Sequence, residues 1–170
     1  MPQFVRAGLR YNRWLETEGR QPLEFPADVL TDLRTTGDEL SVYEVTETIT
    51  AERIAIALAA GKQDPDHTSY ALFNQADVKK LIIAVSREKP GSTYDAGVNA
   101  LHRDLKVGTA ARLLALAELL ARGQIVPILK DRVTKLLKEG FENGQLDHTK
   151  NPRLRDRVKA KIPTRPDEPH

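Results

Sequence analysis

The sequence of 170 residues predicts an α+β fold, in which a small N-terminal sheet of two or three strands with flanking helices precedes a helical C-terminal half. Strand-forming residues alternate or cluster only before residue 74, whereas apolar residues three and four positions apart dominate after it. We therefore expect a single domain over residues 1–162, with the sheet in 1–73 and helices in 74–162.

Three segments predict the strands. Residues 5–12 alternate apolar side chains with basic or small polar ones, which is typical of a strand with one buried face and one basic face. Residues 40–45 and 69–73 are rich in β-forming side chains. Helices predicted from Pro26 and after Thr50 give the order β-α-β-α-β, and this order favours parallel pairing through crossover connections.

The helical half is organised around residues 108–123, which hold mostly alanine and leucine between two glycines. Thr109 suits the N-cap position, and few polar side chains interrupt the apolar surface. We therefore expect neighbouring helices to bury this helix on several sides.

Helical spacing also predicts helices over residues 74–90, over 92–105, from Pro127 onwards and over 153–162. The last eight residues, 163–170, include three prolines and are expected to form an extended or mobile tail.

Composition narrows the class of protein. The chain has no cysteine, which excludes disulfides, thiolate metal sites and cysteine nucleophiles. It shows neither an apolar leader segment nor an apolar run long enough to span a membrane. We expect a soluble, cytoplasmic protein of bacterial type that has no membrane partner.

Charge is unevenly distributed along the chain. Residues 1–85 carry 9 Lys and Arg against 13 Asp and Glu, whereas residues 86–170 carry 17 against 11. The basic excess concentrates in residues 130–165, where such a segment could bind phosphate backbones through counterion release. The residues predicted to contact nucleic acid are Lys130, Arg132, Lys135, Lys138, Arg153, Arg155, Arg157, Lys159 and Lys161.

A second nucleic-acid candidate lies near the N-terminus, where Arg6, Arg10 and Arg13 interleave with Tyr11 and Trp14. Exposed aromatic rings can stack on bases while guanidinium groups meet phosphates. Aromatic residues make up only 5% of the chain, however, so the core needs these rings. We therefore favour buried rings and solvated arginines.

The sequence His102-Arg103-Asp104 matches the start of a protein-kinase catalytic loop. No glycine-rich phosphate loop precedes it and no magnesium-binding Asp-Phe-Gly follows, so we interpret the match as chance. We expect His102 to pack on the apolar face of a helix, and Arg103 and Asp104 to be solvated.

Carboxylates and imidazoles also occur together at 64–67 and at 147–148, and these are ligand types that bind divalent metals. Their spacing matches no established metal-binding pattern, so we predict neither a metal site nor a cofactor.

No motif in the chain supplies a nucleophile, a metal-ligand set or a phosphate cradle. The leading hypothesis is therefore a non-catalytic binding or protein-interaction module, with another protein as its partner. The first alternative is a nucleic-acid-binding protein that uses the basic C-terminal segment. The second is an enzyme with dispersed acid–base residues, for which His67, His102 and His148 are the first to test.

Overall fold

The computed structural model describes residues 2–33, 35–62 and 65–160. Within these residues six strands form one sheet, in the order β4-β5-β2-β1-β3-β6, and every neighbouring pair is antiparallel. The strands are β1 (Gln3–Ala7), β2 (Glu39–Val45), β3 (Thr68–Asn74), β4 (Ala84–Ser86), β5 (His102–Lys106) and β6 (Gln124–Ile128).

Eight α-helices lie in the same described residues, and they are spread through the chain rather than gathered in its second half. They are α1 (Tyr11–Leu15), α2 (Ala27–Leu30), α3 (Ala51–Ala59), α4 (Gln75–Lys80), α5 (Ala96–Asn99), α6 (Ala110–Arg122), α7 (Lys130–Glu142) and α8 (Pro152–Ala160).

Helices cover both faces of the sheet, so that the molecule has three layers. One face packs against α3, α5, α7 and α8, with Ile54 and Leu137 in its core. The other face packs against α1, α2, α4 and α6, with Trp14 and Leu116 in its core. Because both faces are apolar, a central strand such as β1 contributes alternate residues to the two cores.

The predicted architecture, a sheet of two or three strands followed by a helical half, is wrong. Strands β4, β5 and β6 all lie after residue 73, and helices occur throughout the described chain. The prediction of parallel pairing is also wrong, since all five strand pairs are antiparallel. What remains of the predicted class is its mixture of helices and strands.

Strand β5 lies where a helix was predicted. Residues 98–105 have helical apolar spacing, but His102–Lys106 pairs with both β2 and β4. Arg103 and Asp104, predicted to be solvated, are buried. The Arg103 guanidinium binds the Glu44 carboxylate on β2, and the Ser41 hydroxyl donates to Asp104 (3.3 Å). These partners allow the two charged residues to lie inside the sheet. In the sequence, the same polarity is typical of an exposed segment, so the strand was not recognised.

Pro127, which was predicted to begin a helix, lies in the edge strand β6 opposite Ser69. The carbonyl of Ser69 accepts the Gly8 N–H (2.8 Å), so the Ser69 backbone faces β1 rather than β6. At this position the ladder requires no N–H from β6, and proline is tolerated at such edge positions.

Several predicted elements are confirmed. Strands β2 and β3 and helix α6 lie where the sequence indicated them. The Thr109 side chain accepts the Arg112 N–H and caps α6, as expected. Helix α6 buries Leu116 fully, but it covers the sheet instead of forming the centre of a helical bundle.

The connection between α4 and β4 holds Ile82 in the left-handed region, with φ of 57°. Isoleucine rarely adopts this conformation, because its branched side chain clashes with the backbone. Ile82 is also 76% exposed, so apolar burial does not compensate for the strain.

The predicted tail, residues 163–170, lies outside the described residues. Among the helices that the structure does describe, none has the length and apolar character needed to cross a bilayer.

Candidate ligand-binding cleft

A cavity of about 390 Å³ opens at one end of the sheet. Three segments line it, residues 8–12, residues 67–69 and residues 127–129, together with Lys62. The segments meet because β1 and β6 both pair antiparallel with β3, which brings the ends of β1 and β6 beside the start of β3. We call this cavity the β1–β3–β6 cleft.

Backbone and hydroxyl contacts fix the wall of the cleft at the end of β1. Gly8 has φ of 80°, a conformation that favours glycine, and its N–H donates to the Ser69 carbonyl. The Ser69 hydroxyl donates to the Leu9 carbonyl. These two contacts hold the turn from β1 into α1 against β3, so the cleft has a fixed wall.

Asp32 anchors the α1 side of the cleft. Its carboxylate accepts the backbone N–H of Arg10 (2.8 Å), the Nε of Arg10 (2.7 Å) and the indole N–H of Trp14 (2.9 Å). The Asp32 side chain is only 7% exposed, so its charge is largely shielded from water. Arg10 lines the cleft, but its positive charge is compensated by this carboxylate.

The structure describes no such carboxylate partner in the lining for the other polar groups of the cleft. Lys62 and His67 are exposed. Thr68 is only 6% exposed, and its hydroxyl oxygen is buried without a hydrogen-bond partner in the described part of the chain. No carboxylate is among the described residues that line the cleft. Apolar contact area comes from Leu9 and from residues 127–129.

The predicted nucleic-acid residues on α7 have carboxylate partners. Arg132 binds Glu52 through two nitrogens, at 2.9 and 3.1 Å. The remaining pairs are Lys130–Asp66 at 2.9 Å, Lys135–Glu139 at 3.9 Å and Lys138–Glu142 at 3.6 Å. Pairing lowers the positive field that α7 presents to a phosphate backbone.

On α8 the predicted residues differ in environment. Arg153 is exposed, Arg157 is half-buried, and Arg155 binds the adjacent Asp156 at 2.7 Å. Lys161 and the side chain of Lys159 lie outside the described part of the structure. Nucleic-acid binding by this segment stays a prediction.

The N-terminal arginine cluster does not form a basic face. Trp14 is 3% exposed, which confirms that its ring belongs to the core. Arg6, predicted to be solvated, instead donates to the carbonyls of Ser41 (2.9 Å) and Asp32 (2.8 Å). Burial lowers the pKa of the Arg6 guanidinium, although the Asp32 carboxylate opposes this shift.

His102 is buried as predicted, but it packs in strand β5 rather than on a helix. Its Nδ1 lies 2.9 Å from the Lys89 carbonyl, its Nε2 lies 3.5 Å from an Asp104 carboxylate oxygen, and its ring packs edge-on against Tyr43. The Ser41 hydroxyl contacts Asp104 rather than the imidazole. The order of a Ser–His–Asp triad, with the imidazole in the middle, is therefore absent from this group.

The two predicted carboxylate–imidazole pairs differ in what the structure describes. Asp64 lies outside the described residues, while Asp66 binds Lys130. Asp147 accepts the Thr149 hydroxyl (2.6 Å) and His148 is exposed. The described residues contain no group of three or more acidic or imidazole side chains arranged to hold a metal ion.

The cleft was not predicted from the sequence, because its walls come from three distant segments that only strand pairing brings together.

Comparison of the chain with protein-family models, with curated proteins and with solved structures finds no match.

Proposed function

We propose that this chain is a non-catalytic binding module that takes a small organic molecule in the β1–β3–β6 cleft. The observation that carries the proposal is the cleft itself, which has a fixed wall and a buried Thr68 hydroxyl without a partner among the described residues. Its volume of about 390 Å³ lies in the range of small-molecule sites. A few polar groups beside apolar contact area are also typical of such sites.

The chemistry of the cleft favours binding over catalysis. A hydroxyl nucleophile needs a base within hydrogen-bond reach. The Ser69 hydroxyl instead donates to the Leu9 carbonyl, and the Thr68 hydroxyl has no partner in the described chain.

A protein partner is the second candidate, and apolar exposure beside the cleft favours it. Leu129 lines the cleft and is 68% exposed. Leu15 is 49% exposed and lines a smaller cavity of about 230 Å³ that shares Tyr11 with the cleft. Exposed apolar side chains in neighbouring cavities are typical of protein contacts.

A fragment screen followed by NMR tests the proposal. A library of small organic fragments is titrated into ¹⁵N-labelled protein, and amide shifts are mapped onto the structure. Small-molecule binding predicts shifts concentrated at residues 8–12 and 67–69. Absence of fragment-induced shifts there, or shifts confined to residues near Leu15, would contradict a small-molecule cleft.

A blocking variant sharpens this test. Asn12 is exposed and lines the cleft, so Asn12→Trp is expected to occupy the cleft mouth and abolish the shifts. Lys135→Trp is the matched control, because Lys135 is exposed on α7 and does not line the cleft. Equal fragment binding by both variants would place the fragments elsewhere.

A further inference from the structure

We infer that the ligand of the β1–β3–β6 cleft is a small organic anion, with a carboxylate or phosphate head group on an apolar body. This inference rests on the proposed function and specifies the class of ligand. It follows from the balance of charge in the cleft, from one buried hydroxyl and from the distribution of apolar side chains.

The charge balance of the described lining disfavours a cationic ligand. Lys62 and Arg10 contribute positive charge to the lining, His67 contributes an imidazole, and the described lining residues contain no carboxylate. Asp32 already compensates Arg10. The lining residues that the structure describes place no such carboxylate beside Lys62, so a bound anion gains attraction and a bound cation meets repulsion.

Thr68 adds a directional group. Its hydroxyl oxygen is buried beside the cleft without a hydrogen-bond partner in the described residues, which is a costly arrangement. The hydroxyl hydrogen turns about the Cβ–Oγ1 bond, so the hydroxyl can donate to a ligand oxygen that reaches it. A carboxylate or phosphate oxygen accepts such a bond more strongly than a neutral acceptor does.

The rest of the lining selects the body of the ligand. Leu9 and Ile128 are buried, Pro127 and Leu129 are exposed, and the Tyr11 ring is half-buried at the same cleft. These side chains offer apolar contact but few further hydrogen bonds. A ligand that fits them has a compact apolar or aromatic part next to its charged head group.

The test uses four probes that share a phenyl body. Phenylacetate and phenyl phosphate carry the two kinds of anionic head group, 2-phenylacetamide is neutral, and 2-phenylethylamine is cationic. Each is titrated into ¹⁵N-labelled protein, and the dissociation constant is read from shifts at residues 8–12. We expect at least one anion to bind about 5-fold more tightly than the amide, and the amine to bind most weakly.

Variants assign the recognition to named residues. Lys62→Gln is expected to weaken anion binding about 2- to 5-fold, as for an exposed ion pair. Thr68→Val removes the hydroxyl at nearly constant volume, and we expect about 5-fold weaker binding. Lys79→Gln is the control, since Lys79 is an exposed lysine that does not line the cleft.

Thr68→Val also has a readout that is independent of any ligand. If the hydroxyl has no partner in the free protein, its removal leaves the melting temperature unchanged or raises it. A lower melting temperature would mean that the hydroxyl is already satisfied within the chain, and that result would overturn its assigned role.

The outcomes separate this inference from the proposed function. If the amide or the amine binds in the cleft more tightly than the anions, the ligand is not an anion, but the proposed binding module still stands. Unchanged anion affinity in both Lys62→Gln and Thr68→Val would have the same consequence. If fragments bind in the cleft but neither anion shifts the amides of residues 8–12, the anionic ligand is again contradicted and the binding module is not. If neither fragments nor probes shift residues 8–12, both proposals fail.

Discussion

Replacement of Asp95 by alanine is expected to destabilise the protein strongly, because one buried carboxylate joins three elements. Asp95 is 1% exposed and is the N-cap of α5, where it accepts the N–H groups of Gly97 (2.9 Å) and Val98 (3.2 Å). It also accepts from Arg53 on α3 at 2.7 and 3.1 Å, and from Gln145 beyond α7 at 3.2 Å. Its removal leaves each of these donors without this acceptor.

The magnitude follows from the types of contact that are lost. Loss of an N-cap costs about 1 kcal/mol. Breaking a buried ion pair by removing one partner costs about 3–5 kcal/mol, because the remaining charge stays uncompensated. Arg53 is 30% exposed and regains some hydration, so we expect a total of about 3–4 kcal/mol. This is a large share of a typical stability of about 5–15 kcal/mol.

Urea denaturation followed by circular dichroism measures this loss. Asp95→Asn keeps an acceptor oxygen for the cap but loses the charge, so its loss should be about half that of Asp95→Ala. Asp156→Ala serves as the control, because the Asp156 side chain is 65% exposed, and its effect should stay within about 0.5 kcal/mol. A loss below about 1 kcal/mol for Asp95→Ala would show that these contacts contribute little to stability.

The same carboxylate should contribute to acid sensitivity. Burial acts to raise the pKa of Asp95, but hydrogen bonds from Arg53, Gln145 and the Val98 N–H outweigh it, and the pKa lies below its ordinary value. A lowered pKa stabilises the fold above the unfolded-state pKa of about 3.9, and this contribution is lost as the pH falls through the folded-state pKa. Below about pH 4, the free energy of unfolding should therefore fall less steeply for Asp95→Asn than for the unchanged chain.

Three further predictions concern stability and nucleic-acid binding. Ile82→Gly should raise the free energy of unfolding by about 0.5–1 kcal/mol in urea denaturation, because it relieves a left-handed isoleucine that is mostly exposed; a lower value would contradict strain at this turn. Leu116→Asp should unfold the chain or cause aggregation, since it places a charge at a fully buried position of α6; an unchanged melting temperature would refute this burial. Joint replacement of Arg153, Arg155 and Arg157 by Gln should leave the fold intact. We expect no duplex binding tighter than about micromolar at physiological salt before or after this replacement. Tight, salt-dependent binding that the replacement abolishes would instead support nucleic-acid binding by the basic C-terminal segment.

The extent of the sheet could not be predicted from the sequence, because strands β4 and β5 do not resemble isolated strands. In β5, Arg103 and Asp104 are buried by partners on β2, a strand about 60 residues away along the chain. Their burial depends on contacts that the local sequence does not contain. Strand β4 has only three residues, which is too short for a reliable alternation pattern.

Helix caps and helix propensity were predicted correctly, because they depend on residues that are close together in the sequence. Thr109 and Thr50 each cap a helix with their hydroxyl oxygens, as their positions in the sequence indicated. Helix α6 formed from an Ala- and Leu-rich run, since these residues favour helix in almost any surroundings. Its location on a sheet instead of in a bundle was a tertiary property, and its apolar surface alone could not distinguish the two.

The candidate cleft could not be predicted from the sequence, because it too depends on contacts between distant segments. Leu9, Thr68 and Leu129 come from three segments, and their proximity follows from the antiparallel pairing of β1 and β6 with β3. His67 was recognised as a candidate acid–base residue, but nothing in the local pattern indicated that it lines a cavity. A buried hydroxyl without a partner among the described residues, such as that of Thr68, can be recognised only in a three-dimensional structure.

A crystal structure of the chain soaked with phenylacetate tests directly whether the β1–β3–β6 cleft binds an organic anion. We expect electron density for the ligand in the β1–β3–β6 cleft. The carboxylate should lie near the Lys62 Nζ and the Thr68 hydroxyl, and the ring against Leu9 and residues 127–129. Density for the ligand at another surface, or an empty cleft at ligand concentrations that saturate the solution shifts, would contradict it.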